Sequence, residues 1–320
     1  MIATKYLFVL FVGLFFSSCD HDTIISDLEE QIIQNNDSTS YTGGRSNADS
    51  TKSILSDKTI NDSLKILAIG NSFTDDATVY LPNLIKSANL SRIKVARVVH
   101  GGSSLEYHYN HAKKNDDVYD YYKSVGGNNF NSYGKISLLK ALCDDKWDIV
   151  VLQQLSQYSG RYDTYQPYLD SLIVLIHRQQ PKTIIGWQMT WAYSSNSNHA
   201  GFAYYNNDQI IMYDAINQTM AKVLKEANID IVIPTGIAIQ QLRNTYVNNP
   251  PLDLTRDGYH LDYGAGRYTA ACTWYESLIS TIYQTSIIGN TYRVKAGNVH
   301  VTDENAKICQ EAASNAVKGY

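Results

Sequence analysis

Short apolar runs rich in β-branched residues alternate with segments of helical periodicity along most of the chain. Such runs are typical of strands that are buried on both faces of a parallel sheet. The predicted strands cover residues 65–69, 93–99, 148–152, 183–187 and 230–233. The predicted helices cover residues 77–89, 135–145, 164–179, 207–228, 264–283 and 303–318. This alternation predicts an α/β fold, a three-layer α/β/α sandwich around a central, mostly parallel five-stranded sheet with right-handed crossovers.

The amino-terminal part of the chain has a different pattern. An apolar run at residues 6–16 follows Lys5; it is short for a permanent membrane span but typical of a secretory signal. The sequence Phe16-Ser-Ser-Cys19 then resembles the lipobox of bacterial lipoproteins, whose cysteine carries the lipid. We therefore predict three parts: a signal peptide over 1–18, a lipidated Cys19 with a flexible tether over 19–62, and one domain over 63–320 with loops at 115–134 and 194–206.

Composition and charge narrow the classes of partner. The chain has 27 basic and 31 acidic residues, a net charge of −4, and no basic block, which excludes a nucleic-acid binder. The expected membrane contact is the lipid at Cys19, which places the protein in the cell envelope, on the periplasmic face or the cell surface of a Gram-negative-type outer membrane. Four cysteines are too few for a disulfide scaffold, and the pairing of Cys272 with Cys309 stays open, as does the oligomeric state.

The first predicted strand ends in a turn with candidate chemistry. It reads Ile69-Gly70-Asn71-Ser72, and a helical segment follows. In parallel sheets ligands bind at the carboxyl ends of the strands, so Ser72 stands where a nucleophile would, with its own N–H able to bind an oxyanion. The alternative is ordinary turn chemistry, with a polar residue capping the next helix.

A second motif, Asp257-Gly-Tyr-His260, precedes the predicted helix at 264–283. A serine hydroxyl needs a base, usually a histidine oriented by a carboxylate, and Asp257 and His260 are spaced to contact each other in a turn. The alternatives are a surface histidine and an aspartate cap. Asp262 is the other carboxylate that could orient the imidazole.

Together the two motifs resemble the first and last blocks of the SGNH or GDSL hydrolases, which read Gly-Asp-Ser after strand one and Asp-x-x-His before the final helix. The sequence looks closest to a branch found in lipoproteins, with Asn71 where the family usually has Asp. The resemblance implies a flavodoxin-like sandwich and a Ser-His-Asp triad of Ser72, His260 and Asp257. It implies neither a cofactor nor a metal.

The same resemblance implies an oxyanion hole. The family's second block supplies a backbone N–H after strand two, and here Gly102 is the expected donor, with Gly101 as the alternative. The third block normally supplies an Asn side chain, but none is present after Leu152. A Gln amide offers the same donors on a longer arm. We expect Gln154 to take this role, beside Ser72 and Gly102, with Gln157 as the alternative.

Two histidines, His108 and His111, together with Glu106 resemble a metal cluster. No further ligand or zinc motif accompanies them, so we expect a helix lining the site mouth and no metal.

The sequence therefore favours a serine esterase. Its expected substrate is an ester, either of a small molecule or of O-acetyl groups on extracellular glycans. The alternative is a catalytically decayed, SGNH-like glycan-binding lipoprotein; a purely structural envelope protein would leave both motifs unexplained. Five loop tyrosines are candidates for a sugar-stacking wall, or else pack on their own loops: Tyr158, Tyr162, Tyr193, Tyr204 and Tyr205.

Overall fold

The computed structural model describes residues 62–297 and 299–320. The predicted signal peptide, Cys19 and nearly all of the predicted tether lie outside the described residues. Across the described part of the chain, we find no helix with the length and apolarity needed to span a bilayer.

Nine strands lie in the described part of the chain, and seven of them form the main sheet. They are β1 (Leu64–Gly70), β2 (Ile93–Val99), β3 (Tyr119–Val125), β4 (Asn131–Ile136), β5 (Ile149–Leu152), β6 (Ile184–Gln188), β7 (Ile231–Ile233), β8 (Lys295–Ala296) and β9 (Val299–His300). All five predicted strands form, each within one residue of its predicted bounds. The short strands β8 and β9 pair separately.

The helices agree with the pattern less closely. They are α1 (Ser72–Thr78), α2 (Leu81–Ser87), α3 (Leu105–Lys114), α4 (Leu138–Cys143), α5 (Tyr168–Gln179), α6 (Gln209–Glu226), α7 (Thr235–Arg243), α8 (Ala265–Tyr275), α9 (Thr281–Tyr283) and α10 (Asp303–Lys318). A π-helical turn joins α8 to α9. The predicted single helix at 77–89 is wrong: the chain forms α1 and α2 there, because Pro82 suits the first turn of a new helix and not a helix interior.

The main sheet has the order β4-β3-β2-β1-β5-β6-β7. Five of these strands are parallel, and in chain order they run 2-1-3-4-5, which is the flavodoxin-like arrangement. The predicted α/β/α sandwich is therefore confirmed. Its winding reverses between β1 and β5, and this switch point is where such folds bind ligands. The serine turn, residues 70–72, follows β1 directly.

The predicted number of strands, five, is wrong, because an antiparallel hairpin extends the sheet beside β2. β3 and β4 fall largely in the segment 115–134, which the sequence predicts to be a loop. Tyr119 and Tyr121 are buried, but the polar residue Asp120 lies between them, and β4 is exposed along nearly its whole length. An edge hairpin buries too little apolar surface to leave the β-branched pattern that marks the central strands.

Two helix layers enclose the sheet. Helices α1, α2, α7, α8 and α10 pack on one another on one face, and α3, α4 and α5 do so on the other. Strands β1 and β5 between them are buried almost completely. Cys272 and Cys309, whose pairing the sequence leaves open, are free buried thiols in the first layer.

Candidate active site

The serine turn is built for a close approach of the backbone. A Cβ atom on Gly70 would lie 2.0 Å from Thr74 Oγ1, so a side chain at this position would displace the start of α1. Asn71 is the N-cap of α1, and its Oδ1 accepts a hydrogen bond from the Phe73 amide at 2.9 Å. Ser72 is the first residue of α1 and is partly exposed. Its N–H has no hydrogen-bond partner within the described residues.

Ser72, His260 and Asp257 come together in the expected order. Ser72 Oγ lies 2.8 Å from His260 Nε2, and His260 Nδ1 lies 2.7 Å from Asp257 Oδ2. Asp257 Oδ1 also accepts the backbone N–H groups of Tyr259 and His260. The imidazole is thus held on one side by a carboxylate and directed on the other at a hydroxyl, which is the arrangement of a serine nucleophile with its base.

Asp257 is held in its ionised form. Partial burial alone would raise its pKa, but hydrogen bonds from the His260 ring and from two backbone amides outweigh it and lower the pKa below the ordinary value. The alternative carboxylate, Asp262, has another role, because its Oδ1 accepts the N–H groups of Gly264 and Gly266 at the start of α8.

A residue that the sequence analysis missed fixes the loop that bears His260. The Asp76 carboxylate is buried on α1, and it accepts hydrogen bonds from Arg256 Nη1, from Arg267 Nε and Nη2, and from the Leu261 amide. One carboxylate on the helix that begins with Ser72 thus binds the chain on both sides of His260, at Arg256 before it and at Leu261 after it. The only sequence signal is the pair Asp75-Asp76, which by itself reads as first-turn acidity.

The predicted backbone donor lies in the glycine turn, residues 100–103. Gly102 is exposed, with φ +71°, a conformation that favours glycine. Its N–H, like that of Ser72, has no partner among the described residues. Ser103 anchors the turn, because its Oγ lies 3.1 Å from the Gly70 carbonyl oxygen and 2.9 Å from that of His100.

Gln154 is wrong as the side-chain donor of an oxyanion hole. Its Nε2 donates to the Thr164 carbonyl at 3.0 Å and to Thr164 Oγ1 at 3.1 Å, which uses both N–H groups. Its Oε1 accepts the amides of Leu105 and Leu155. The side chain is buried and fastens the start of α3 to the loop after β5. Gln157, the alternative, is partly exposed, and its side-chain amide has no hydrogen-bond partner within the described chain.

Replacing Gln154 by alanine should lower the free energy of unfolding by about 1–3 kcal/mol, because buried partners lose their hydrogen bonds. Urea unfolding followed by circular dichroism measures the change. Gln157→Ala is the matched control and should cost clearly less. Equal losses for the two variants would contradict the network.

The side chains of His108 and His111 form hydrogen bonds with different partners. His108 is buried, with Nε2 3.2 Å from Ser103 Oγ and Nδ1 3.1 Å from Tyr119 Oη, whereas His111 Nδ1 lies 3.0 Å from Asp116 Oδ2. Burial lowers the pKa of His108 to about 3, so this side chain is neutral. It supports the glycine turn from behind.

Four of the five tyrosines of the predicted wall divide into two groups, and the fifth, Tyr162, is partly exposed and donates its hydroxyl hydrogen to Glu226. Tyr193 and Tyr205 are buried and are wrong as members of a substrate surface. Tyr204 is 50 % exposed, and its ring lies 6.1 Å from that of Tyr158 and under the Arg161 guanidinium. These groups follow β5 and β6, on the same edge of the sheet as Ser72.

Comparison with known proteins shows to which family the chain belongs. A family model described as "Domain of unknown function (DUF4886)" matches residues 65–316. A DUF4886 family protein from Bacteroides uniformis has a crystal structure that is similar with a TM-score of 0.73 and 35 % identity, over 80 % of this chain and 95 % of that chain. None of the curated proteins matches the sequence.

More distant similarities are to two further crystal structures. A putative GDSL-like lipase from Parabacteroides merdae is 16 % identical with a TM-score of 0.46, over 68 % of this chain and 97 % of that chain. Axe2, an acetylxylan esterase from Geobacillus stearothermophilus, is 16 % identical with a TM-score of 0.44, over 68 % and 94 %. The family therefore rests on the DUF4886 model and the Bacteroides uniformis structure.

Proposed function

The chain belongs to the DUF4886 family and has a flavodoxin-like α/β/α fold, and we propose that it is a serine ester hydrolase of the SGNH/GDSL type. One observation carries the proposal: Ser72 Oγ lies 2.8 Å from His260 Nε2 while Asp257 Oδ2 lies 2.7 Å from the other ring nitrogen. In this order the imidazole can take the proton of the hydroxyl, while the ionised carboxylate orients the ring and stabilises its protonated form.

The proposed reaction has two halves. Ser72 Oγ attacks the acyl carbonyl while its proton moves to His260 Nε2, and the Ser72 and Gly102 N–H groups bind the oxygen that becomes negative. The carbon–oxygen bond to the alcohol then breaks, and the alcohol takes the proton from His260. Water attacks the acyl-enzyme in the same way, which releases the carboxylic acid and restores Ser72.

The proposed substrate is an ester outside the cytoplasm, with O-acetyl groups on glycans as the class we favour. Support comes from Tyr158 and Tyr204, which keep exposed ring surface on the loops beside the site, and from Arg161 stacked on Tyr204. An aromatic ring with an adjacent cation suits the apolar face and the hydroxyls of a sugar.

One observation favours the alternative, a decayed glycan-binding protein of the same fold. Gln154 supplies no free donor, so two backbone N–H groups remain for the oxyanion, and one lost donor typically costs about 10²–10³ in rate. An activated serine and a decayed site differ in reactivity, which makes the two functions separable.

A fluorophosphonate probe should label the wild-type protein at Ser72, because only a hydroxyl activated by a base reacts covalently. Mass spectrometry of the digested protein locates the label. Ser72→Ala and His260→Ala should both abolish it. An unlabelled wild-type protein would favour the glycan-binding alternative.

We also propose that Cys19 carries the lipid that anchors the protein in the cell envelope. Cys19→Ala should move the protein from the membrane fraction to the soluble fraction, because lipid chains and not an apolar helix would hold it there. Fractionation with immunoblotting measures the distribution, and Cys272→Ala is the control that should stay membrane-bound. A Cys19→Ala variant that remains in the membrane would refute the anchor.

A further inference from the structure

A single buried amide joins three of the segments at the candidate active site. Asn71 is 1 % exposed. Its Nδ2 donates to the Ser103 carbonyl at 2.9 Å, and its Oδ1 accepts from the Phe73 amide at 2.9 Å and from Gln153 Nε2 at 2.7 Å. These partners lie in the glycine turn, at the start of α1 and in the loop after β5.

The backbone partners decide which end of the Asn71 amide is which. The Phe73 N–H can only donate and the Ser103 carbonyl can only accept, so the oxygen must face Phe73 and the nitrogen must face Ser103. An ionised aspartate would place an acceptor oxygen against the Ser103 carbonyl oxygen. A carboxylate at this position would therefore lose one hydrogen bond and gain a repulsion in a buried place.

The contact to Ser103 bears on the proposed chemistry. Ser103 follows Gly102, and its own N–H donates to the His100 carbonyl at 3.2 Å, so the turn that presents the Gly102 N–H moves with it. The His100 amide in turn donates to the Gly70 carbonyl. Asn71 thereby sets the position of one oxyanion donor relative to Ser72, which is the next residue along the chain.

We propose that Asn71 is a positioning residue that holds the glycine turn against the serine turn, and that this role needs an amide and excludes an ionised carboxylate. The inference rests on the proposed function, since it concerns the alignment of the two backbone donors. It also explains why the chain departs here from the Gly-Asp-Ser motif: Gln153 and the Ser103 carbonyl together require a side chain that both accepts and donates.

The test is Asn71→Asp, the residue usual in the resembling family. At about pH 8 we expect kcat for an aryl acetate to fall at least about tenfold with KM nearly unchanged, because a misplaced oxyanion donor affects the transition state. The ratio of variant to wild-type kcat should rise as the pH falls toward about 5. A buried carboxyl regains its proton in this range, and the neutral acid can donate to the Ser103 carbonyl.

The buried histidine behind the turn does not produce this trend, because burial lowers the pKa of His108, which contacts Ser103, to about 3 and keeps it neutral. His100 and His260 are present in the wild type, the variant and the control alike, so the ratio compares proteins that differ only at the substituted residue. The matched control is Asn290→Asp: Asn290 is also buried, its Nδ2 donates to the Leu84 carbonyl and its Oδ1 accepts from the Tyr292 amide, but it lies outside the site. Its kcat should equal that of the wild type.

Hydrogen exchange gives a readout that is independent of activity. At about pH 8 the Ser103 amide, which donates to the His100 carbonyl, should exchange faster in Asn71→Asp than in the wild type, because the turn loses its contact to Asn71. Faster exchange in a protein whose wild type hydrolyses no ester would uphold the positioning contact and refute the proposed function. An active wild type whose Asn71→Asp variant keeps full kcat, or a kcat ratio that does not change with pH, would overturn the inference.

Discussion

Ser72→Ala is expected to lower kcat/KM for a short-chain aryl ester by about 10⁴–10⁶, because no other group of the triad can form the acyl-enzyme. Among the described residues the Ser72 hydroxyl has a hydrogen bond to His260 and to no other group, so the free energy of unfolding should change by less than about 1 kcal/mol. Initial rates with p-nitrophenyl acetate and urea unfolding of the same preparation measure both quantities.

The triad also predicts the activity of a double variant. His260→Ala should cost about as much as Ser72→Ala, and the double variant should cost no more than either, because the two groups act as one unit. Ser171→Ala is the control: its hydroxyl donates to the Pro167 carbonyl in α5, away from the site, and activity should be retained. Full activity in Ser72→Ala would refute the triad.

Asp76→Asn is expected to lower the free energy of unfolding by about 3–5 kcal/mol. The carboxylate is 1 % exposed and is the shared counter-ion of Arg256 and Arg267, whose side chains are 24 % and 16 % exposed. Removing one partner of a buried ion cluster leaves uncompensated charge, and this costs far more than losing a surface pair. Urea unfolding at neutral pH measures the difference from the wild type.

The control for this loss is Asp163→Asn, which breaks the exposed pair with Arg161 and should cost at most about 1 kcal/mol. If Asp76→Asn does not fold, Arg267→Ala provides a graded variant, because Asp76 then keeps Arg256 and the Leu261 amide. Losses for Asp76→Asn no larger than for Asp163→Asn would show that the cluster does not stabilise the loop that bears His260.

Strand prediction succeeded in the centre of the sheet and failed at its edge. The segment at 149–152 is buried on both faces, so every position had to be apolar and the pattern was visible. The hairpin at 119–136 buries chiefly Tyr119 and Tyr121, and most of its other positions carry polar groups. A strand that needs only part of one face covered leaves a weak periodic signal.

The structure brings together the predicted site residues that are close to each other along the chain or belong to a recognised motif. Asp257 and His260 are three residues apart, so a turn brings them into contact, and Ser72 follows the strand where parallel sheets bind ligands. Gln154 was the wrong choice because neighbouring side chains in a loop point in different directions, and only the partners of the amide reveal which. The catalytic roles of Ser72, Asp257 and His260 stay predictions.

The sequence by itself determined the α/β class, the positions of the five parallel strands along the chain, the two motifs and the distinct amino-terminal segment. Each of these is set by residues that are neighbours in the sequence. Only the tertiary structure decided that Asp76 joins Arg256 and Arg267 across the fold, that Asn71 fastens the glycine turn, and that Gln154 is occupied. The physical reason is that hydrogen bonds and ion pairs depend on direction and distance, and these partners, separated by 10 to 191 positions along the chain, meet only in the folded structure.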